Sequence, residues 1–176
     1  PNALLKWPTD WAPDGSAIAY QVFDPRTSYD VWLSIGSGGV PIANQPANET
    51  SATFSPDGAW IAFASDRTGR REVFCRRRSS SETYQVSAAG GEDPRWSRGS
   101  GTLFYRVGAQ LCAVTPVRGA APSEWKARAL FRVEHLLSYD VAPDGLRLLV
   151  CVESPRGGPA QLSVLANWPA ALARGL

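Results

Sequence analysis

The stretch FSPDGAWIAFASDRTG, residues 54–69, joins a tight turn to an apolar strand and a second turn, and its opening motif recurs along the chain. That motif reads WAPDG at residues 11–15 and VAPDG at residues 141–145, with a degenerate copy, WSRGS, at residues 96–100. The first two prolines are 43 residues apart, and the third intact copy follows after 87 residues, about two further steps. A period of roughly 40–45 residues with four strands in each unit is typical of a β-propeller.

The second repeat shows why each unit should be a small sheet packed on both sides. Pro56 presets the turn geometry, Asp57 can hydrogen-bond locally, and Gly58 tolerates a positive φ. The strand that follows, residues 60–64, is apolar on both of its alternating faces. A strand enclosed between two neighbouring sheets needs this pattern, whereas a strand with one solvated face does not. We therefore predict an all-β propeller of about four four-stranded antiparallel blades.

The repeats divide the chain into units of similar length. Residues 1–176 are predicted to form a single propeller domain or a fragment of a propeller, with blades at residues 6–43, 49–87, 93–133 and 137–166. The last unit stops after its third strand. A short helix is expected at residues 170–174, capped by Asn167.

The repeats do not determine how the ring of blades closes. Residues 2–5 precede the first repeat and are predicted to be a closing strand for the last sheet, which would hide exposed strand edges. Three arrangements remain: closure within one chain, pairing with a second chain as a homodimer, and membership of a larger ring.

The composition excludes several classes of protein. Hydrophobic residues make up 44% and charged residues 19%, and the formal net charge is +2. This charge is too small to indicate a nucleic-acid or membrane partner, no apolar run reaches the length of a membrane span, and no signal peptide is visible. Cys75, Cys112 and Cys151 are widely spaced in apolar runs, which favours small buried side chains over a disulfide or a metal site.

No residue pattern predicts catalysis, a cofactor or a metal. His135 is the only histidine and is interpreted as a loop or strand-edge residue. The glycine cluster at residues 36–39 lacks the frame of a nucleophile elbow, because Ile35 precedes it. The turn aspartates Asp14, Asp57 and Asp144, with Asp66, each offer only one carboxylate in a turn, so turn chemistry explains them better than calcium ligation. The predicted catalytic, cofactor-binding and metal sites are therefore none.

Arginine and tryptophan are the two residue types whose placement needs an interpretation. The densest basic cluster consists of Arg67, Arg70, Arg71, Arg76, Arg77 and Arg78. These arginines are interpreted as charge on outer sheet edges. The alternative is a site that binds phosphate or an acidic partner. Tryptophans at or beside the repeated turns are expected to pack between blades: Trp11, Trp60 and Trp96. Tryptophans outside the repeat are expected at the surface or at the ring closure: Trp7, Trp125 and Trp168.

The repeat resembles that of the TolB-type propellers, which are relatives of WD-repeat blades. The resemblance rests on SPDG preceded by an aromatic residue, followed by WIAFASDRTG at residues 60–69 and EVF at residues 72–74. Further motifs are YDVW at residues 29–32, GGEDPRW at residues 90–96 and YDVAPDG at residues 139–145. Their order resembles the C-terminal propeller of bacterial serine/threonine protein kinases. One departure is Arg98-Gly99-Ser100, where an Asp-Gly turn is usual, so this hairpin is expected to differ in shape.

The resemblance implies a sensing or interaction module. The leading hypothesis is a non-catalytic propeller that binds a protein or peptide partner across one face of the ring through its loops. The alternative is an accessory propeller of a larger enzyme, a kinase or a prolyl-oligopeptidase-like hydrolase, whose catalytic domain is outside this chain. Kinase chemistry does not transfer, because the glycine-rich phosphate loop, H-R-D and D-F-G motifs are absent from these residues. A nucleic-acid binder based on the arginine cluster is the weaker hypothesis.

Overall fold

The computed structural model describes residues 5–154 and 161–173, and this part of the chain is almost entirely β. Its strands form four antiparallel sheets, and within each sheet the strands pair in chain order. Sheet 1 contains β1 (Lys6–Trp11), β2 (Ile18–Asp24), β3 (Ser28–Ile35) and β4 (Gly38–Ala43). Sheet 2 contains β5 (Glu49–Phe54), β6 (Trp60–Ser65), β7 (Glu72–Arg77) and β8 (Thr83–Gln85).

The second half of the chain repeats this arrangement. Sheet 3 contains β9 (Glu92–Trp96), β10 (Leu103–Val107), β11 (Gln110–Val114) and β12 (Ala127–Arg132). Sheet 4 contains β13 (Leu136–Val141), β14 (Arg147–Val152) and β15 (Gln161–Ala166), and helix α1 (Trp168–Ala173) follows it. The four sheets are arranged as propeller blades, which confirms the predicted fold class. The predicted closing strand at residues 2–5 lies outside the described residues except for Leu5, which is exposed.

Three hydrophobic cores hold successive sheets together, and β6 shows how one strand contributes to two of them. Ile61 and Phe63 pack against sheet 1 together with Ala19 and Leu33. Ala62 points the other way and packs against sheet 3. Alternate side chains of a strand point to opposite faces of the sheet. A strand enclosed on both sides is therefore apolar on both faces, as predicted from residues 60–64.

A third core, between sheets 3 and 4, contains Phe104, Leu148 and Trp168. Trp168 lies at the start of α1, where its indole N–H donates to the carbonyl of Gly145 over 2.7 Å. Its ring contacts Phe104 edge-on at 5.8 Å. The expectation that Trp168 lies at the surface or at the ring closure is therefore wrong, because α1 carries it back between sheets 3 and 4.

The repeated turns have the local chemistry that the sequence predicts. One carboxylate oxygen of Asp14, of Asp57 and of Asp144 accepts a hydrogen bond from the backbone N–H two residues later, at 2.9–3.0 Å. The glycine that follows each aspartate has a φ of 68–72°. These carboxylates stabilise β-turns, which explains their recurrence.

The degenerate hairpin between β9 and β10 has a different shape. Its positive φ is at Gly101, and the N–H of that residue donates to Ser97 O at 3.0 Å, so the turn is one residue wider. Gly99 then approaches the next hairpin, where its N–H donates to Pro143 O over 2.6 Å. A Cβ at Gly99 would lie 2.6 Å from that oxygen. The glycine is needed because this hairpin docks directly on sheet 4.

Candidate functional site

A cleft of about 750 Å³ opens between sheets 2 and 3. It lies where the β5–β6 and β9–β10 turns meet the loop after β7 and the connector after β11. Its volume is in the range of ordinary ligand sites. We call it the aromatic cleft, and the side chains that define it are Trp60, Arg77, Glu82, Tyr84, Trp96 and Trp125.

Trp125 is the centre of the aromatic wall. Its ring contacts Trp60 at 5.8 Å and Trp96 at 6.3 Å, both edge-to-face, and Trp60 contacts Tyr84 at 6.0 Å in the same manner. Edge-to-face pairs stabilise such clusters beyond the effect of area burial. The wall therefore joins residues from two sheets into one rigid surface.

A one-turn 3₁₀ helix, residues 122–124, positions Trp125. The Trp125 N–H donates to Pro122 O at 3.2 Å, and Glu124 Oε1 accepts a hydrogen bond from the Ala121 N–H at 2.9 Å. Trp125 is only 5% exposed. The expectation that it is a surface or closure contact is therefore wrong.

The other tryptophans of the repeat divide between core and surface. Trp96 is buried, and Trp60 packs partly buried against the same core, which confirms the expected packing between blades. Trp11 is 60% exposed, so the same expectation is wrong for it. Sheet 1 has no preceding sheet in the described structure against which Trp11 could pack. Trp7 is half exposed and contacts Tyr29 at 5.9 Å.

The rim of the aromatic cleft carries two arginines, Arg77 and Arg118, and two acidic residues, Asp57 and Glu82. The guanidinium of Arg77 lies 4.7 Å from the centre of the Trp60 ring, a cation–π geometry. The Tyr84 hydroxyl donates to Glu82 Oε2 at 2.9 Å, and this hydrogen bond raises the pKa of Tyr84. Arg77 and Glu82 are both exposed. The cleft thus combines an apolar aromatic floor with polar groups at its edge.

Two indole N–H groups of the wall offer nothing to a ligand. Nε1 of Trp96 and Nε1 of Trp125 are buried, and neither has a hydrogen-bond partner among the described residues. Because Trp96 and Trp125 are themselves almost completely buried, a ligand would contact mainly the half-buried rings of Trp60 and Tyr84. Recognition here would depend on apolar and stacking contacts with the aromatic rings, together with polar contacts at the rim.

Apart from Arg77, the arginines of the basic cluster near β7 are held in ion pairs and hydrogen bonds within the chain. Near the start of β7, Arg67 pairs with Glu49 at 2.8 Å and Arg70 pairs with Glu72 at 2.6 Å. Both carboxylates are almost completely buried. Arg71 reaches Thr50 in the same region. Paired guanidinium groups have little capacity left to bind phosphate, so this end of β7 is a structural network.

The arginines at the far end of β7 also have partners. Arg76 donates to the carbonyl of Ser80 at 2.9 Å and to that of Ile42 in sheet 1. Arg78 donates to Ser16 Oγ at 2.6 Å and lies 3.4 Å from Asp14. The cluster therefore occupies both ends of the strand, as predicted. Its contacts run to other sheets as well as to solvent.

Glu49 is the most strongly perturbed carboxylate of this network. Burial raises its pKa to about 7, while the paired Arg67 opposes part of that rise. Desolvation penalises the charged form of a buried acid, which is the cause of the shift. Glu49 lies between sheets 1 and 2 and lines no cleft, so we treat it as a structural group.

The other candidate residues of the sequence are dispersed. His135 lies in the turn between β12 and β13 with a φ of 56°, and Gly36 lies in the turn between β3 and β4. Cys75 and Cys112 are buried and Cys151 is half-buried, all as free thiols. Residues 5–154 and 161–173 contain no group of three or more potential metal ligands. In the same range, no helix is long and apolar enough to cross a membrane.

Comparison with known proteins shows which known fold the chain shares. No known protein-family profile matches the chain. A segment of 89 residues, 47% of the chain, is 34% identical to the uncharacterized peptidase YuxL of Bacillus subtilis, of which it covers 12%.

Among solved structures, TolB from Acinetobacter baumannii matches 93% of the chain with a TM-score of 0.70 and 19% identity, over 41% of its own length. A puromycin hydrolase matches 94% with a TM-score of 0.64 and 16% identity, over 28% of its length. The fold is a TolB-like β-propeller. The chain spans less than half of each of these proteins, and identities this low establish the fold alone.

The aromatic cleft is the feature that the sequence analysis missed. The residues that complete its wall lie in the connector at residues 115–125, which has no counterpart in the other repeats. The signal was the Pro-rich sequence before Trp125, which predicts a local turn beside a large aromatic side chain.

Proposed function

We propose that this chain is a non-catalytic propeller that binds an extended, proline-containing peptide segment of a partner protein in the aromatic cleft. The observation that carries the proposal is the shared wall of Trp60, Trp96 and Trp125 between two blades. Grooves lined with aromatic side chains accept the preformed polyproline II conformation, which loses little entropy on binding. Trp60 and Tyr84 would provide the apolar contact surface.

The rim supports the orientation of such a segment. Arg77 over Trp60 and Glu82 beside Tyr84 place opposite charges at the edge of one aromatic surface. Charges at the rim of an interface set orientation and association rate more than affinity. The partner segment is therefore expected to carry flanking charged residues of both signs.

The test is direct titration of the full chain with a panel of proline-containing decapeptides, monitored by tryptophan fluorescence and calorimetry. We expect one-to-one binding by some of them, reduced by about 10-fold or more in Trp60→Ala, as for an aromatic residue at the centre of an interface. Trp7→Ala is the matched control, because Trp7 lies outside the cleft. Unchanged binding by Trp60→Ala, or no binding by any peptide, would refute the proposal.

A second candidate is an accessory propeller of a larger enzyme. It is supported by the 34% identity to a peptidase over 89 residues and by the motif order that resembles kinase-associated propellers. The nucleotide sequence flanking the coding region tests it. A contiguous hydrolase or kinase domain would support this role, and in-frame stop codons directly on both sides would contradict it.

A further inference from the structure

A second cleft, of about 380 Å³, lies beside the aromatic cleft, between sheet 3 and helix α1. Thr115 and Val117 line both clefts, so the two adjoin each other along the connector after β11. Trp168 forms part of the wall of the second cleft. We call it the basic cleft, because the exposed side chains of Lys126 and Arg128 line it.

The start of β12 separates the two clefts and gives each its own chemistry. The backbone is extended at Trp125, and alternate side chains of an extended chain point to opposite sides. Trp125 lines the aromatic cleft, whereas Lys126 and Arg128 line the basic cleft. Arg128 pairs across the sheet with Ala113, which packs towards sheet 4. The same few residues therefore present an aromatic surface on one side and positive charge on the other.

The cations of the two clefts are not engaged by other charges. Within residues 5–154 and 161–173, none of the following side chains forms an ion pair or donates a hydrogen bond: Arg77, Arg118, Lys126 and Arg128. The Arg77 guanidinium lies 4.7 Å from the Trp60 ring centre, and that of Arg128 lies 5.5 Å from the Trp168 ring centre. A cation–π contact positions a guanidinium and leaves its N–H groups able to donate.

The acidic side chains of the two clefts are already bonded within the chain. They are Asp57 and Glu82 in the aromatic cleft and Glu124 in the basic cleft. Each accepts a hydrogen bond at 2.9–3.0 Å, and the donors are the Ala59 N–H, the Tyr84 hydroxyl and the Ala121 N–H, respectively. The charged groups that can still bind a ligand are therefore mainly positive. Their complement is a carboxylate.

We propose that the basic cleft binds an acidic segment of the same peptide that occupies the aromatic cleft. This inference rests on the proposed function and narrows the partner to a proline-containing segment joined to one rich in aspartate or glutamate. The peptide would cross from one cleft to the other over Thr115 and Val117. A carboxylate in the basic cleft would accept two parallel hydrogen bonds from Arg128 and pair with the point charge of Lys126.

The first test uses the tightest-binding peptide of the proline-containing panel with triglutamate added to either end, and the same peptides with triglutamine instead. At low ionic strength, calorimetry should show that one triglutamate form binds about 10-fold more tightly than its triglutamine form, a difference that salt reduces. The double variant Lys126→Gln and Arg128→Gln should abolish this difference. The matched control is Lys6→Gln with Arg26→Gln, which removes the same charge from sheet 1 and should preserve it.

The second test separates the basic cleft from the aromatic cleft. A peptide of six glutamates without proline should bind weakly to the wild type and to Trp60→Ala, but not to the double variant Lys126→Gln and Arg128→Gln. If Trp60→Ala weakens binding of the proline-containing peptides while their triglutamate and triglutamine forms bind equally, this inference is overturned and the proposed function stands. If hexaglutamate binds as expected but no proline-containing peptide does, the acidic site stands and the proposed function is overturned.

A nucleic acid is the other polyanion that could occupy aromatic and basic clefts. Titration with an oligothymidylate of ten nucleotides tests it under the same conditions. We expect weaker binding than for the triglutamate peptide, because the basic cleft offers only two cations. Tighter binding of the oligonucleotide, or no binding of any acidic peptide, would overturn the inference.

Discussion

Sheets 2 and 4 are built from the same repeat, yet one is enclosed and the other is half open. In β6, Ala62 is fully buried against sheet 3, whereas Leu149 at the equivalent position of β14 is 43% exposed. Ile61 and Leu148, the residues just before them, are both completely buried. The difference therefore comes from the presence of a neighbouring sheet and not from the strand itself. One repeat sequence can form either an internal blade or an end blade.

The largest expected effect is at the enclosed sheet. Phe63 is fully buried between sheets 1 and 2 and stacks on Phe74 at 6.0 Å. Phe63→Ala should lower the free energy of unfolding by about 3–5 kcal/mol, through lost transfer energy and a residual cavity. Val150→Ala, at the equivalent position of sheet 4, should cost about 1–3 kcal/mol because it removes fewer atoms. Chemical denaturation of both variants checks this order, and equal losses would contradict it.

Sheet 2 also buries a carboxyl group where sheet 4 has an apolar residue. Glu49 begins β5, and Leu136 begins β13. Burial raises the pKa of Glu49 from 4.5 to about 7, so the folded state binds this proton more tightly than the unfolded state. The contribution of Glu49 to the free energy of unfolding should therefore be greatest below pH 4.5. It should fall by up to about 3 kcal/mol as the pH rises to about 7.

Denaturant midpoints measured from pH 5 to pH 8 test this dependence. Glu49→Gln should flatten the curve, because the amide cannot ionise. A wild-type curve that rises over this range with the same slope in Glu49→Gln would show that Glu49 is not the group responsible.

The junction between sheets 3 and 4 should be sensitive to one added methyl group. Gly99→Ala places a Cβ about 2.6 Å from Pro143 O, and backbone on both sides limits relaxation. We expect a loss of about 1–3 kcal/mol in the free energy of unfolding. Gly38→Ala is the control, since its Cβ would meet only Ile35 O at 3.7 Å. Thermal unfolding of the two variants should differ clearly, and a neutral Gly99→Ala would argue against the direct docking of this hairpin.

The smallest effect is expected at the open face. Leu149→Ala in dilute protein should change the free energy of unfolding by less than about 0.5 kcal/mol, as for a surface substitution. Ala62→Leu, the reverse exchange at the enclosed position, should cost about 1–3 kcal/mol through overpacking. Denaturation of both variants at low concentration measures the contrast. A large loss in Leu149→Ala alone would mean that sheet 4 is covered within a single chain.

Much of this fold could be predicted because the repeat encodes it locally. The Pro-Asp-Gly turns fix the hairpins, and the two apolar faces of residues 60–64 reveal an enclosed strand. The alternation also predicts the three cores, since each face of a strand needs a partner. The short helix was predicted two residues too late, because Trp168 is drawn into the core before the helix proceeds.

The aromatic cleft could not be predicted in the same way. Trp125 lies outside the repeat, so periodicity contains no information about its neighbours. Its contacts with Trp60 and Trp96 depend on how a connector crosses from one sheet towards another. The exposure of Trp11 was missed for a related reason: in the described structure no sheet packs on the side of sheet 1 where Trp11 lies.

Amide hydrogen exchange of β6 and β14 in one sample tests most directly the claim that sheet 2 is enclosed on both faces whereas sheet 4 has one face open to solvent. Protection reports the local free energy of opening. We predict that β6 is strongly protected, whereas protection of β14 is weaker. Equal protection of the two strands would contradict the account.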